Sequence, residues 1–129
     1  MPKVAPTIHF RLRIHLGDDI AVGPGKVDLL EAISATGSIT AAAKALGMSY
    51  RRAWLLVDTM NRCFATPVVS AEAGGASGGR TRLTETGAEI VHRYRRMEAA
   101  AAKAGAADLA ALTRLLRLPA SARGKAGRG

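Results

Sequence analysis

The sequence has one cysteine, few aromatic residues and no apolar run that approaches the ~20 residues needed to span a bilayer. Its single thiol, Cys63, has no intrachain partner for a disulfide and no neighbouring residues that suggest a metal site. The first four residues, Met-Pro-Lys-Val, lack the apolar core of a signal peptide. We therefore expect a reduced, cytoplasmic protein with no metal site and no membrane span.

Residues suited to catalysis are also scarce. His9 and His15 lie on one face of a predicted strand, and His92 lies on a distant predicted helix. The glycine-rich segment 73–79 lacks the Lys-Ser/Thr of a phosphate-binding loop. Because acid–base catalysis needs groups that converge, the sequence predicts that the protein is not an enzyme.

Positive charge is abundant. Nineteen Lys and Arg residues against ten Asp and Glu give a net charge of +9, and 48% of the residues are hydrophobic. A domain this basic repels itself, and a polyanion is the usual partner that relieves the repulsion. A solvated basic face that binds nothing is the alternative.

The apolar pattern predicts a mainly helical fold with a small β component. Residues 8–16 alternate apolar and polar side chains, which predicts a strand with one buried face, followed by a turn at Asp18-Asp19. Proline, glycine and serine then mark three helices. The first is expected from Pro24 to before Gly37, and the second, capped by Ser38, from Ile39 to Leu46. The third is capped by Ser49 and runs to about Phe64.

The second and third helices form a helix-turn-helix. Ala42 and Ala43 allow the two helices to cross closely, and Gly47 permits the sharp turn between them. At 100° per residue, one arc of the third helix is apolar and should be buried. Its members are Ala53, Leu56, Val57, Met60 and Phe64.

A wing follows this motif in the sequence. Residues 68–70 and 80–83 are predicted strands, and residues 73–79 between them should be a mobile hairpin tip. Arginine pairs two donors with a guanine edge, a surface leucine suits a thymine methyl, and arginines on a wing neutralise phosphates. An ordinary helical hairpin with a solvated basic face remains the alternative to a DNA-binding helix-turn-helix. A pair with Asp58 remains the alternative role for Arg62. The residues predicted to contact double-stranded DNA are Ser38, Thr40, Ser49, Tyr50, Arg51, Arg52, Leu55, Arg62, Arg80 and Arg82.

Thr84 should cap a long helix over residues 85–104, whose apolar residues recur at spacings of three and four. This seam predicts a homodimer on a palindromic site, although it would also fit a helix that covers only its own core. The residues assigned to the dimer seam are Ile90, Val91, Tyr94, Met97 and Ala101.

The domain prediction follows from these elements. Residues 1–104 form a winged helix-turn-helix domain that includes the dimerisation helix 85–104. An amphipathic helix occupies the segment 105–118, starting at Ala107, and residues 119–129 are a disordered basic tail.

The run from Gly37 to Trp54 resembles the DNA-binding domain of the molybdate-responsive (ModE-type) regulators, within the LysR-like winged-helix group. Its most specific features are Ser49-Tyr50, Ala53-Trp54 and Met60-Asn61, supported by Leu83-Thr84 and Gly87. The resemblance covers about residues 14–104. It implies a dimeric, nucleoid-associated transcriptional regulator of genes for molybdenum uptake or use.

Members of that family bind molybdate in C-terminal domains, whereas this sequence ends at Gly129. Ser121-Ala122-Arg123 matches only the start of the Ser-Ala-Arg-Asn-Gln motif that opens such domains. We therefore expect no cofactor in this chain and weak molybdate binding or none, with a separate effector-sensing protein as a partner to consider. The alternatives are a winged-helix protein-interaction module and a DNA-binding regulator unrelated to molybdate.

Overall fold

The computed structural model describes residues 5–75 and 78–117. The chain divides into two compact units, one formed by Arg11–Met97 and the other by the first ten residues together with those from Glu98 onward. The elements, in chain order, are β1 (Ile14–Leu16), β2 (Asp19–Val22), α1 (Pro24–Thr36), α2 (Ile39–Ala45), α3 (Tyr50–Cys63), β3 (Val69–Gly75), β4 (Gly78–Leu83), α4 (Glu85–Ala104) and α5 (Ala106–Arg114).

The first strand is shorter than the sequence predicts, and its apolar side chains are not buried. β1 covers only Ile14–Leu16 and pairs with β2, a return strand that the sequence analysis missed. Ile14 and Leu16 are 49% and 56% exposed, and Ile8 and Leu12 are exposed as well. Alternation shows that side chains share a face, but burial requires an element that covers that face. The buried residues of this hairpin are Ala21 and Val22 on β2.

Helix α1 has the predicted bounds because both ends carry the expected residues. Pro24 occupies the first turn, and Gly37 takes a left-handed conformation (φ 74°) and donates its N–H to the Ile33 carbonyl at 2.7 Å. The apolar face of this helix is completely buried, and its residues are Val27, Leu29, Leu30 and Ile33.

Two clusters of buried side chains form the core of the Arg11–Met97 unit. The larger joins α1, α2, α3 and the start of β3, and contains Ile33, Ala42, Met60 and Val68. The smaller contains Ala21, Val22, Val27 and Tyr94. Helix α4 therefore covers the other side of α1 and β2.

The position of Tyr94 corrects the predicted dimer seam. This side chain is 1% exposed, and its hydroxyl donates a hydrogen bond to the Leu12 carbonyl at 2.9 Å. Ile90 and Val91 are half-buried against both core clusters. The first part of the heptad pattern therefore covers the protein's own core, and Tyr94 is not available to a second copy. Met97, by contrast, is 45% exposed.

A compact junction joins the wing to α4. Thr84 caps the helix as predicted: its hydroxyl accepts the Gly87 N–H at 3.1 Å and donates to the Pro67 carbonyl at 2.6 Å. The Thr84 N–H donates to the Val68 carbonyl at 3.0 Å. Gly87 packs so closely on Val68 that a Cβ at position 87 would overlap its carbonyl oxygen.

Helix α5 ends at Arg114, earlier than the predicted Leu118. The chain tightens there into i→i+3 hydrogen bonds, from the Leu115 N–H to Leu112 and from the Leu116 N–H to Thr113. Leu112, Leu115 and Leu116 are 61%, 80% and 50% exposed. Residues 73–75 and 78–79, predicted to belong to a mobile hairpin tip, are instead the ends of β3 and β4. The centre of that tip, residues 76 and 77, and the predicted tail 119–129 lie outside the described residues.

Helices α1 and α4 are also linked at their surface. The Arg95 guanidinium makes salt bridges with Asp28, at 2.8 Å, and with Glu31. The hydrogen bond from Arg95 lowers the pKa of Glu31 below its ordinary value of 4.5, against a smaller opposing effect of burial. This link is therefore sensitive to acid.

We expect Gly87→Ala to lower the free energy of unfolding by about 1–3 kcal/mol, because the added methyl group meets backbone that cannot move aside cheaply. Gly25→Ala is the matched control. It also adds a methyl group to a helix, but nothing lies within 4 Å of that position. The control should be neutral or slightly stabilising. Equal losses in urea denaturation of both variants would contradict the packing described here.

A second prediction concerns pH. Because its folded-state pKa is lowered, ionised Glu31 stabilises the fold above the ordinary glutamate pKa, and this contribution is lost as the pH falls through the folded value. Glu31→Gln should cost roughly 0.2–1 kcal/mol at neutral pH, since the pair is exposed. The difference from the natural protein should shrink as the pH falls below the ordinary glutamate pKa and through the lowered folded-state pKa of Glu31. In an Arg95→Met background, the difference in unfolding free energy that Glu31→Gln makes should be absent at every pH.

Candidate nucleic-acid interface

The helix-turn-helix is held by two serine caps and a glycine turn. Ser38 Oγ accepts the Ala41 N–H at 3.1 Å at the start of α2, and Ser49 Oγ accepts the Arg52 N–H at 3.1 Å at the start of α3. Gly47, between the helices, has a φ of 69°. Ser49 thus has a structural role at the position where the sequence analysis predicts a DNA contact.

Helix α3 separates an apolar face from a polar one, as predicted. Ala53, Val57 and Met60 are buried, and Leu56 and Phe64 are half-buried against the same cluster. Outside this buried face, the first two turns of the helix carry exposed residues. These are Tyr50, Arg51, Arg52, Trp54 and Leu55.

Arg51 and Arg52 make no salt bridge to any of the residues that the structure describes. They lie at the amino-terminal end of α3, where the helix dipole adds further positive potential. Lys26 on α1 is half-buried, and burial lowers its pKa, with a further contribution from the charge of Arg52. The start of α3 therefore carries two arginines that have no salt-bridge partner in residues 5–75 and 78–117.

Arg62 differs from these arginines. Its guanidinium contacts Asp58 and Asp19 at 3.2 Å each, and the hydrogen bond to Asp58 raises its pKa. It lies roughly 16 Å along the helix from Arg51. The structure therefore gives Arg62 a role in tying α3 to the β1–β2 hairpin and does not bring it together with the other predicted contact residues.

The wing is an antiparallel pair, in which Val69 lies opposite Leu83 and Glu72 lies opposite Arg80. Arg82 forms a salt bridge with Glu72 at 3.2 Å, and both side chains are more than half exposed. The sequence analysis identified Arg82 but missed its carboxylate partner. Finding Glu72 requires the register between β3 and β4, and the glycine-rich segment between them gives no pattern from which to predict it.

Two hydrogen bonds fix the base of the wing against the helix-turn-helix. Asn61 Oδ1 accepts the Val68 N–H at 2.8 Å, and the Thr81 N–H donates to the Gly37 carbonyl at 3.0 Å. The Arg80 side chain crosses Gly37 so closely that a Cβ there would lie 2.9 Å from Nη2. Arg80 is thereby placed beside the start of α2, next to Ser38.

The structure thus brings the predicted residues other than Arg62 and Arg82 together in two groups. Ser38, exposed Thr40 and Arg80 lie around the start of α2, and the other group follows the first two turns of α3. Trp54 was not among the predicted contact residues. The same 100° spacing that places Leu55 outside the buried arc of α3 also places Trp54 outside it. Its exposed fraction is 46%.

Within residues 5–75 and 78–117, no group of three or more His, Cys, Asp or Glu side chains is arranged to hold a metal ion. Over the same part of the chain, none of the helices combines the length and the apolar character that crossing a bilayer requires. The described residues form a basic surface built on a helix-turn-helix and a wing.

Comparison with curated proteins finds proteins named for molybdenum transport, for molybdenum-pterin binding and for transcriptional regulation. The chain is 44% identical over 91 residues to the molybdenum transport protein ModE of Azotobacter vinelandii, covering 69% of this chain and 34% of that protein. It is 46% identical over 82 residues to the molybdenum-pterin-binding protein MopB of Rhodobacter capsulatus, covering 64% and 30%. Against the DNA-binding transcriptional dual regulator ModE of Escherichia coli K12, the identity is 32% over 83 residues, covering 64% and 32%. The chain spans about a third of the length of these relatives.

Comparison with solved structures supports the fold. The CbnR DNA-binding domain, in a crystal structure of its complex with DNA, matches with a TM-score of 0.52 and 20% identity, covering 68% of this chain and 95% of that one. The predicted winged helix-turn-helix fold is confirmed. No protein-family profile matches the chain.

The cap at the start of α3 yields a prediction for Ser49. Ser49→Ala should cost about 1 kcal/mol of unfolding free energy, because the Arg52 N–H loses its acceptor. Ser49→Asp is the control, since its carboxylate accepts the same bond and favours the positive end of the helix. If thermal denaturation separated neither variant from the natural protein, the cap would contribute nothing to stability.

Proposed function

We propose that this chain is a sequence-specific, double-stranded DNA-binding transcriptional regulator of molybdenum uptake or utilisation genes, similar in this role to the ModE proteins that it resembles. The proposal is carried by Arg51 and Arg52, which make no salt bridge within the described part of the chain and lie at the exposed start of the second helix of a helix-turn-helix. That position meets base edges when such a helix enters the major groove. A regulator that acts by binding DNA needs no catalytic group.

Each exposed group suits a different part of the duplex. Arg51 lies opposite the buried face of α3, where its planar fork can pair with guanine O6 and N7, and Leu55 on the same side suits a thymine methyl. Arg80, beside the start of α2, suits a phosphate. Arg82 is held by Glu72 in the free protein, so its phosphate contact requires an exchange of one anion for another.

We propose further that the protein binds a palindromic operator as a homodimer. Met97 is exposed and Ala101 half-exposed on α4. Leu112 on α5 is exposed as well, and so are Leu115 and Leu116, which follow the end of that helix. Apolar helix faces of this kind are stabilised by burial against another surface. Two-fold symmetry would place two α3 helices roughly 34 Å apart, or a multiple of that distance, on successive half-sites.

A separate protein is the proposed source of any response to molybdate. Among the described residues, the side chains that suit an oxyanion are Ser38, Thr40, Arg80 and Arg82, and we assign all four to DNA phosphates. Ser38 Oγ already accepts the Ala41 N–H. A protein that acts on chromosomal DNA belongs in the cytoplasm, at the nucleoid.

The test is a titration of duplex DNA at several salt concentrations. Affinity should fall steeply as salt rises, because each neutralised phosphate releases counterions. Arg51→Ala should cost about 1–3 kcal/mol on the best sequence and relax sequence preference. Arg82→Ala should weaken strong and weak sequences alike and reduce the salt slope by about one.

Two outcomes would count against the proposal. A flat salt dependence would exclude binding through the basic surface, and an absence of binding would favour a protein-interaction module on the same fold. If Arg51→Ala weakened all sequences equally, α3 would not be the element that reads bases.

A further inference from the structure

Two of the largest aromatic side chains lie on α3 in solvent. Tyr50 is 53% exposed and Trp54 is 46% exposed, whereas Tyr94 is buried and Phe64 half-buried. Trp54 is the only tryptophan in the chain. The two residues are four apart on one helix, so they are neighbours on its surface.

The polar atoms of both rings are free to donate. In the described parts of the chain, neither the Tyr50 hydroxyl nor the Trp54 indole N–H has a hydrogen-bond partner. Aromatic rings of this size bury about 150–250 Å² each when covered, and their polar ends then take a partner. A covering surface with hydrogen-bond acceptors would satisfy both requirements at once.

The angle of this pair on the helix identifies which part of a duplex it faces. At about 100° per residue from Ala53, at the centre of the buried face, Tyr50 and Trp54 lie roughly 60–100° to one side. Arg51 and Leu55 lie at roughly 160–200°, directly opposite the core. Arg52 lies on the far flank, at roughly 260°. A helix about 10–12 Å across fills a major groove about 12 Å wide, so its flanks meet the sugar–phosphate strands.

We propose that Tyr50 and Trp54 form an aromatic flank of α3 that packs on one sugar–phosphate strand of the bound duplex. The inference rests on the proposed DNA-binding function and adds a contact to it. The ring faces cover deoxyribose, and the indole N–H and the phenol O–H donate to phosphate oxygens. Asp58 follows Trp54 by one turn, and its charge is compensated by Arg62 at 3.2 Å, so the flank does not end in an unpaired anion.

The contact has a signature that a charged residue lacks. Neutral donors release no counterions, so they add affinity without changing the salt dependence. Sugar and phosphate carry no sequence information, so the added affinity is the same for good and poor sites. Trp54 should therefore differ from Arg51 in sequence dependence and from Arg82 in salt dependence.

The first measurement uses the single tryptophan as a probe. Anisotropy of a fluorescent duplex reports whether DNA is bound, and acrylamide quenching of Trp54 fluorescence reports whether the indole is covered. We expect quenching to fall severalfold in the complex. Bound DNA with unchanged quenching would overturn this proposal and leave the proposed function intact, whereas no anisotropy change would reject the proposed function.

The second measurement compares variants by the same anisotropy titration. Trp54→Ala should weaken binding roughly tenfold at every salt concentration and on every sequence, which corresponds to ~1.4 kcal/mol. Trp54→Phe keeps the ring and loses the N–H, so it should lose about threefold. Because position 54 is exposed, both variants should keep the thermal stability of the natural protein. A changed salt slope, an unchanged affinity or a loss confined to one sequence would overturn the contact.

Discussion

The crossing of α2 and α3 depends on side chains no larger than a methyl group. Ala42 and Ala53 are fully buried and Ala43 nearly so, at the place where the two helices meet. A larger side chain at any of these positions would separate the helix backbones or force neighbouring side chains out of their preferred rotamers. The orientation of α3 follows from this contact. The directions of Arg51, Leu55 and Trp54 are in turn fixed by α3, because a helix presents its residues at set angles.

The wing depends on the same framework through backbone hydrogen bonds. Asn61 accepts the amide of Val68 at the start of the hairpin, and Gly37 accepts the amide of Thr81 on its return strand. On the side of the wing that faces α4, the Thr84 hydroxyl donates to the Pro67 carbonyl, and Gly87 packs on the Val68 backbone. These contacts lie at the base of the hairpin, so its base has a defined place whatever conformation its glycines adopt. The basic wing is therefore positioned by the side chains of Asn61 and Thr84 and by the backbone of Gly37 and Gly87.

The sequence predicted the parts of the structure that depend on local signals. Helix ends depend on hydrogen bonds between residues close in the sequence, and they are set here by the caps Ser38, Ser49 and Thr84 and by the left-handed Gly37. Helix α4 has the predicted bounds. The burial of residues 8–16 and of Tyr94 was predicted wrongly, because it depends on which distant element covers each face. The same limit applies to the candidate site. The exposed arc of α3 follows from helical periodicity, whereas the Arg82–Glu72 and Arg62–Asp19 pairs depend on strand register and on a contact between distant segments.

Helix α1 acts as a strut between the wing and α4. Its C-terminal end is joined to β4 through Gly37 and Thr81, and its outer surface is joined to α4 through Asp28, Glu31 and Arg95. A helix of this length is about 20 Å long and resists bending. Insertions in the turn between β1 and β2 would leave the separation of the wing and α4 unchanged. A residue added within α1 would rotate one attachment relative to the other by about 100°, so the length of this helix is under a stricter constraint than its surface composition.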